Sequence, residues 1–167
     1  MPIPYPNLKI IKEFYYKHGF ELADLIIHPE STEYEACSFK LHGKSIEYRT
    51  SKITPTKTGQ FVTIWKRNKD GITEPFDFSD NFDFFIITSK SENKLGQFIF
   101  PKNLLVEKGI ISQKSKGGKR GIRVYPPWDK VTNKQAEKTQ SWQVKYFVST
   151  DDDKSLHLAE NILKSQG

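Results

Sequence analysis

The run Phe84-Phe85-Ile86-Ile87, opened by Asp83 and closed by Thr88, constrains the fold more than any other stretch. Successive side chains of a strand point to opposite faces. A strand with no polar face is therefore buried on both sides and belongs at the centre of a sheet. Leu95-Gly96-Gln97-Phe98-Ile99-Phe100, stopped by Pro101, predicts another strand. No apolar run approaches the ~20 residues a membrane helix needs, so no membrane association is expected.

The remaining elements are short. Asn7 suits a helix cap, with Leu8, Ile11, Phe14 and Tyr15 on one stripe and Gly19 at the end. Residues 22–34 are ambiguous, because Pro29 breaks a helix there. Residues 35–41 and 45–49 flank His42-Gly43-Lys44 as a hairpin. A loop over 51–59 precedes a strand over 60–67, and 68–80 reads as a second loop. Helices are expected over 103–108, 133–139 and after Asp151-Asp152-Asp153, whose acids suit a positive helix end. Leu156, Ala159, Ile162 and Leu163 form the apolar face of that last helix. Strands are expected over 123–125 and 144–148, and a flexible basic loop over 112–121. Strands outnumber helices, which sit at both ends. The expected class is α+β, a single mixed β-sheet flanked by helices. A length of 167 residues suits one domain spanning 1–167, and no linker interrupts it.

Cys37 is the sole cysteine, so an intramolecular disulfide is impossible and the small secreted scaffolds are excluded. The start, Met1-Pro2-Ile3-Pro4-Tyr5-Pro6, lacks the basic and apolar regions of a signal peptide. A reducing, cytoplasmic setting is expected.

The formal net charge is +6, and its distribution is uneven. From Lys108 to Lys145 ten Lys and Arg face only Asp129 and Glu137; this segment carries +8 and the rest of the chain −2. Clustered cations attract polyanions, of which nucleic acid is the commonest. A solvated basic face would look the same in sequence. Within the segment, Lys119, Arg120 and Arg123 lie beside Tyr125 and Trp128, and a further set follows, Gln135, Lys138, Gln140 and Gln143 with Trp142. Guanidinium groups fork onto phosphates, rings stack on bases, and amides read base edges. The same two rings would also serve as core around the Pro126-Pro127 turn. A second set, Lys52, Lys57, Lys66 and Arg67 with Trp65, surrounds the 51–59 loop. Strand alternation puts Trp65 and Arg67 on one face and Lys66 on the other, so these cations cannot all converge. The candidate nucleic-acid contacts are Lys57, Trp65, Arg67, Lys119, Arg120, Arg123, Tyr125, Trp128 and Gln140, with Lys102 as a further phosphate contact.

Catalytic signals are poorer. The four histidines are scattered, no zinc spacing includes Cys37, and Lys116-Gly117-Gly118-Lys119 is not a phosphate-cradling loop. A Mg²⁺-dependent nuclease needs converging carboxylates and a lysine. Asp83, Glu35, Glu47 and Lys102 are the candidates, with Asp80 and Asp83 as metal ligands. The acid-x-Lys element is degenerate, since Glu47-Tyr48-Arg49 has Arg in the last place. Asp80 and Asp83 equally suit the turn before a strand. A third possibility is a site for a phosphorylated small molecule between the 54–59 loop and residues 123–128.

Several blocks together resemble the MepB-like family. They are Lys52 to Val62 (KITPTKTGQFV), Trp65-Lys66-Arg67, Gly96 to Lys102 (GQFIFPK), Arg123 to Trp128 (RVYPPW) and Thr139 to Gln143 (TQSWQ). The resemblance runs from about Glu35 to Phe147. It implies a small bacterial protein, in some genomes encoded beside a multidrug efflux pump, with a restriction-endonuclease-like fold and affinity for nucleic acid. It offers no catalytic assignment to carry over.

Overall fold

A computed structural model describes residues 3–165. In chain order, helix α1 (Pro6–Lys17) leads into strands β1 (Leu22–Ile27), β2 (Cys37–Leu41) and β3 (Lys44–Thr50). Four short strands follow: β4 (Lys52–Ile53), β5 (Gln60–Thr63), β6 (Trp65–Arg67) and β7 (Thr73–Pro75). Next come β8 (Phe84–Ser91), β9 (Lys94–Pro101), α2 (Lys102–Glu107), β10 (Gly121–Val124), α3 (Lys134–Gln143), β11 (Phe147–Ser149) and α4 (Leu156–Lys164).

The main sheet has six strands in the order β1-β2-β3-β8-β9-β11. β3 and β8 run parallel, and the other neighbours are antiparallel. A parallel pair needs a crossover, and here the crossover is the stretch from Ser51 to Asp83. It builds a second layer, in which β5 lies between β10 and β4 while β6 pairs with β7. The α+β class holds, with one main mixed sheet flanked by helices, and two small sheets are added to it. The stretch 60–67 reads as one strand but is broken at Ile64. The Ile64 N–H donates to the Arg120 carbonyl at 2.9 Å, and the chain passes there from one small sheet to the other.

The apolar run of β8 is buried on both faces as expected. Phe84 and Ile86 join Leu8, Ile11 and Tyr15 of α1 and Ala159, Ile162 and Leu163 of α4 in one core. Phe85 and Ile87 join Phe98 and Phe100 of β9, Leu105 of α2 and Val62 and Ile122 of the small sheet in the other. Alternation along β3 follows the same rule: Ile46 and Tyr48 enter the first core, so Glu47 and Arg49 face the second layer. The hairpin between β2 and β3 turns through His42 (φ 52°) and Gly43 (φ 76°), the two positive dihedrals of a type I′ turn.

Several local expectations are corrected. Asn7 does not cap α1; Pro6 opens the helix and Asn7 lies inside it. The ambiguous residues 22–34 contain β1, an edge strand. β7 occupies part of the expected 68–80 loop. Residues 144–146 form a 3₁₀ turn, leaving only 147–149 as strand. The basic loop after α2 is pinned rather than loose. Gln113 and Lys116 exchange backbone hydrogen bonds at 2.9 and 3.0 Å, and the N–H groups of Gly118 and Lys119 donate to the carbonyls of Gly109 and Ile110 at 2.9 Å. Among the described residues no helix is long and apolar enough to cross a membrane.

Candidate nucleic-acid interface

The second layer leaves a groove of about 540 Å³ between the small sheet and α3, lined by Lys57, Lys108, Lys119, Arg123, Tyr125 and Trp142 among others, with no Asp or Glu. Three stretches supply the four cations. Lys57 comes from the loop before β5, Lys108 from the end of α2, Lys119 from the residues leading into β10, and Arg123 from β10 itself. The ion pairs among the described residues include none of Lys57, Lys108 or Lys119. Like charges in a concave, acid-free surface reinforce one another and concentrate an anion there.

Local packing sets this geometry. The Arg123 guanidinium donates to the Thr58 carbonyl at 3.2 Å and to Thr54 Oγ1, which ties the 54–59 loop to β10. Gly59 (φ 83°) lets the Tyr125 ring cross that loop; a Cβ there would stand 2.6 Å from Tyr125 Cε1. Gln143 is buried and clasps β10 to α3. Its Oε1 accepts the Tyr125 N–H at 2.8 Å and its Nε2 donates to the Arg123 carbonyl at 3.0 Å. Lys108 Nζ lies 5.3 Å from the Trp142 ring centroid, within cation–π range. An adjoining cavity of about 340 Å³ shares Lys57, Arg123 and Tyr125 and reaches Thr132 and Asn133.

The other candidate contacts lie elsewhere. Arg120 turns away from Lys119 and Arg123 and donates to the Thr73 carbonyl at 2.9 Å and Thr73 Oγ1 at 3.3 Å. Arg67 pairs with Glu30 and sits over the Trp65 ring at 5.5 Å. Trp128 packs edge-on against Phe147 at 5.5 Å, the core alternative for that ring. Gln140 is occupied by the carbonyls of Pro126 and Asp129, both at 2.9 Å. Lys108 lines the groove without being a candidate contact, and of the glutamine-rich set around Trp142 the groove takes Gln135, Trp142 and Gln143. Gln135, Thr139 and Trp142 sit at i, i+4 and i+7 of α3 and all line the groove, so helical periodicity would have grouped them.

The nuclease candidates do not all meet: Lys102 lies beside Asp80 and Asp83, whereas Glu35 and Glu47 are engaged elsewhere. Glu35 is spent on the start of α1: its carboxylate accepts the N–H of Asn7 at 3.3 Å and of Leu8 at 3.0 Å, the Asn7 amide at 3.1 Å and Thr50 Oγ1 at 3.1 Å. Glu47 pairs with His28 and Arg49 at 3.1 and 3.0 Å. Asp80 binds Lys66 Nζ at 2.6 Å with one oxygen and the Asp77 N–H at 2.7 Å with the other. Burial alone would lower the Lys66 ammonium, but Asp80 and Glu74 outweigh it and hold it above its ordinary value. Asp83 accepts the Ser45 N–H at 2.8 Å, a contact to the start of β3. Lys102 Nζ donates to the carbonyls of Phe78 and Asp80 and lies over the Phe82 ring at 4.6 Å. Burial pushes its ammonium down, opposed by the charges of Asp80, Asp83 and Asp77. Among the described residues no three His, Cys, Asp or Glu side chains gather closely enough to hold a metal ion. Both Asp80 oxygens and one Asp83 oxygen are already engaged, by Lys66, the Asp77 N–H and the Ser45 N–H.

A second cavity, of about 690 Å³, opens over β3 and β6. Glu47 and Arg49 form part of its lining, with Trp65, Phe76 and His28 around them. It shares no lining residue with the groove.

Residues 28–149 match the family model described as MepB-like. No curated protein sequence gives a significant match. A solved structure, the crystal structure of MepB, is 36% identical; the alignment covers 89% of this chain and 99% of that one, with a TM-score of 0.78. Another, the bacterial homing endonuclease I-Ssp6803I, is 11% identical over 95% of this chain and 92% of that one, with a TM-score of 0.47. On the extent of the family match and the 36% identity to MepB, the chain belongs to the MepB-like family.

Proposed function

We propose that the protein is a cytoplasmic nucleic-acid-binding protein that holds a phosphate backbone in the groove between the small sheet and α3. One observation carries this reading: Lys57, Lys108, Lys119 and Arg123, from three stretches of the chain, line one concavity with no carboxylate. Lysine ammonium groups neutralise phosphates as point charges and Arg123 does so with its remaining guanidinium donors. The Tyr125 and Trp142 rings offer faces on which bases stack, at about 1–3 kcal/mol each. Titration of labelled duplex and single strands by fluorescence anisotropy at several salt concentrations tests it. Affinity that falls steeply with salt supports the reading, and an affinity indifferent to salt removes it.

A phosphorylated small molecule would use the same chemistry. The adjoining cavity beside Lys57, Arg123 and Asn133 favours it as the second reading. A thermal-shift panel of mononucleotides against oligonucleotides separates the two: small ligands that stabilise as much as strands do favour the cavity over the groove.

A further inference from the structure

The cavity over β3 and β6 has a charged floor and apolar walls. Glu47 and Arg49 are two residues apart on β3 and so share a face. Arg49 is only 2% exposed, and its guanidinium lies 5.7 and 5.4 Å from the ring centroids of Phe76 and Phe85. Its Nη1 group donates to Glu47 Oε2 at 3.0 Å and to the Tyr48 carbonyl at 2.7 Å. Its Nε has no acceptor among the described residues. A buried guanidinium with an incomplete set of acceptors is costly, and a ligand acceptor would complete it. Glu47 also holds His28 Nε2, 3.1 Å from each of its oxygens, so a pair of ligand donors takes the place of His28 on this carboxylate. The floor thus places a donor beside an acceptor, 3.0 Å apart.

Charge narrows the ligand. Arg49 is matched by Glu47, which also pairs with His28, Arg67 by Glu30 and Lys66 by Asp80. With no surplus cation, the floor does not favour a dianionic group; it favours a neutral one. The walls include Trp65 and Phe76, which suit a flat ring. The volume of 690 Å³ lies in the small-ligand range. A flat neutral ring that complements a donor next to a carboxylate presents an acceptor next to two donors. Among the nucleobases that edge belongs to guanine, through O6, N1–H and the 2-amino group.

We propose that this cavity binds guanine: Glu47 accepts from N1–H and the 2-amino group, Arg49 donates to O6, and the ring lies against Trp65 and Phe76. The base is supplied either by a free nucleotide or by an unstacked guanine of a single strand. The proposal stands on residues separate from the groove.

The test titrates the full chain with 5′-GMP, 5′-IMP and 5′-AMP, read by tryptophan fluorescence and calorimetry. All three carry the same phosphate, so differences report the base. GMP is expected to saturate, with IMP, which lacks the 2-amino group, about tenfold weaker or more. Trp65→Ala, at a half-buried position, should weaken GMP about tenfold and abolish its quenching while circular dichroism stays unchanged. Glu47→Gln should erase the preference for GMP over IMP. Lys119→Ala should leave that preference intact, which separates this site from the groove. A single-stranded octamer with one guanine, compared with the same strand abasic at that place, identifies the source. Guanine-dependent binding of the nucleotide or the strand supports the pocket. Equal affinity for the three nucleotides and the two strands, or no saturation of either, overturns it.

Discussion

Lys119 and Arg120 are neighbours in sequence and carry the same charge, yet the structure gives them opposite fates. Lys119 lines the groove, whereas Arg120 is held by Thr73 on the far side. If Lys57, Lys108, Lys119 and Arg123 each neutralise one phosphate, log affinity falls with log salt at a slope of about −3.6 on a duplex and about −2.8 on a single strand. Between about 50 and 200 mM salt that is a loss of roughly 150-fold and roughly 50-fold, respectively. Lys119→Ala removes one contact, so the duplex slope should shrink to about −2.7 and the loss to roughly 40-fold. Arg120→Ala removes the same formal charge and should leave the slope unchanged. Fluorescence anisotropy on a labelled 20-mer measures both variants, and urea unfolding shows whether either has lost stability. Equal shrinkage of the slope in the two variants would refute the groove and restore a diffuse basic surface.

Three predictions concern the frame. Glu35→Ala should destabilise the chain by ~2 kcal/mol in urea unfolding and leave the salt slope untouched, because its carboxylate caps α1 from a distance. Gly96→Ala should cost ~1–3 kcal/mol, since a Cβ there would stand 2.1 Å from Phe147 Cζ and that ring is backed by Phe98 and Trp128; trimming the ring with Phe147→Leu in the same chain should recover part of the loss. Hydrogen bonds from Ser79 and Ser112 hold the Asp77 carboxyl down at about 2, against an ordinary 3.8. Its contribution is therefore fully present above the ordinary value and disappears as pH falls toward 2. Wild-type urea midpoints should drop across that window, and Asp77→Asn should flatten the drop.

The fold was legible where burial imposes a period. The run Phe84–Ile87 demanded a strand covered on both sides, and two cores cover it. The hairpin around His42-Gly43 and the apolar faces of α1 and α4 follow the same logic. What could not be read was the path of the crossover. The break at Ile64 is made by a backbone hydrogen bond to Arg120, 56 residues later, and no local signal encodes it. Glu35 is similar: its partners lie 27 and 28 residues away, so its carboxylate looked available for chemistry.

The same limit explains the candidate site. Charge counting found the cationic stretch from 108 to 145, but a count carries no direction. Direction comes from alternation and from tertiary partners. The β10 strand with its lead-in sends Lys119 and Arg123 to α3 while Thr73 of β7 takes Arg120, and the loop before β5 adds Lys57 from outside the stretch. Three of the stretch's ten cations line the groove, so its net charge of +8 overstates the local field. The proposed preference for anions therefore rests on the exclusion of carboxylates from one concavity rather than on the charge of the chain. By that reasoning a single carboxylate introduced at Thr139, on the α3 wall of the groove, should weaken strand binding about as much as removing one of the four cations.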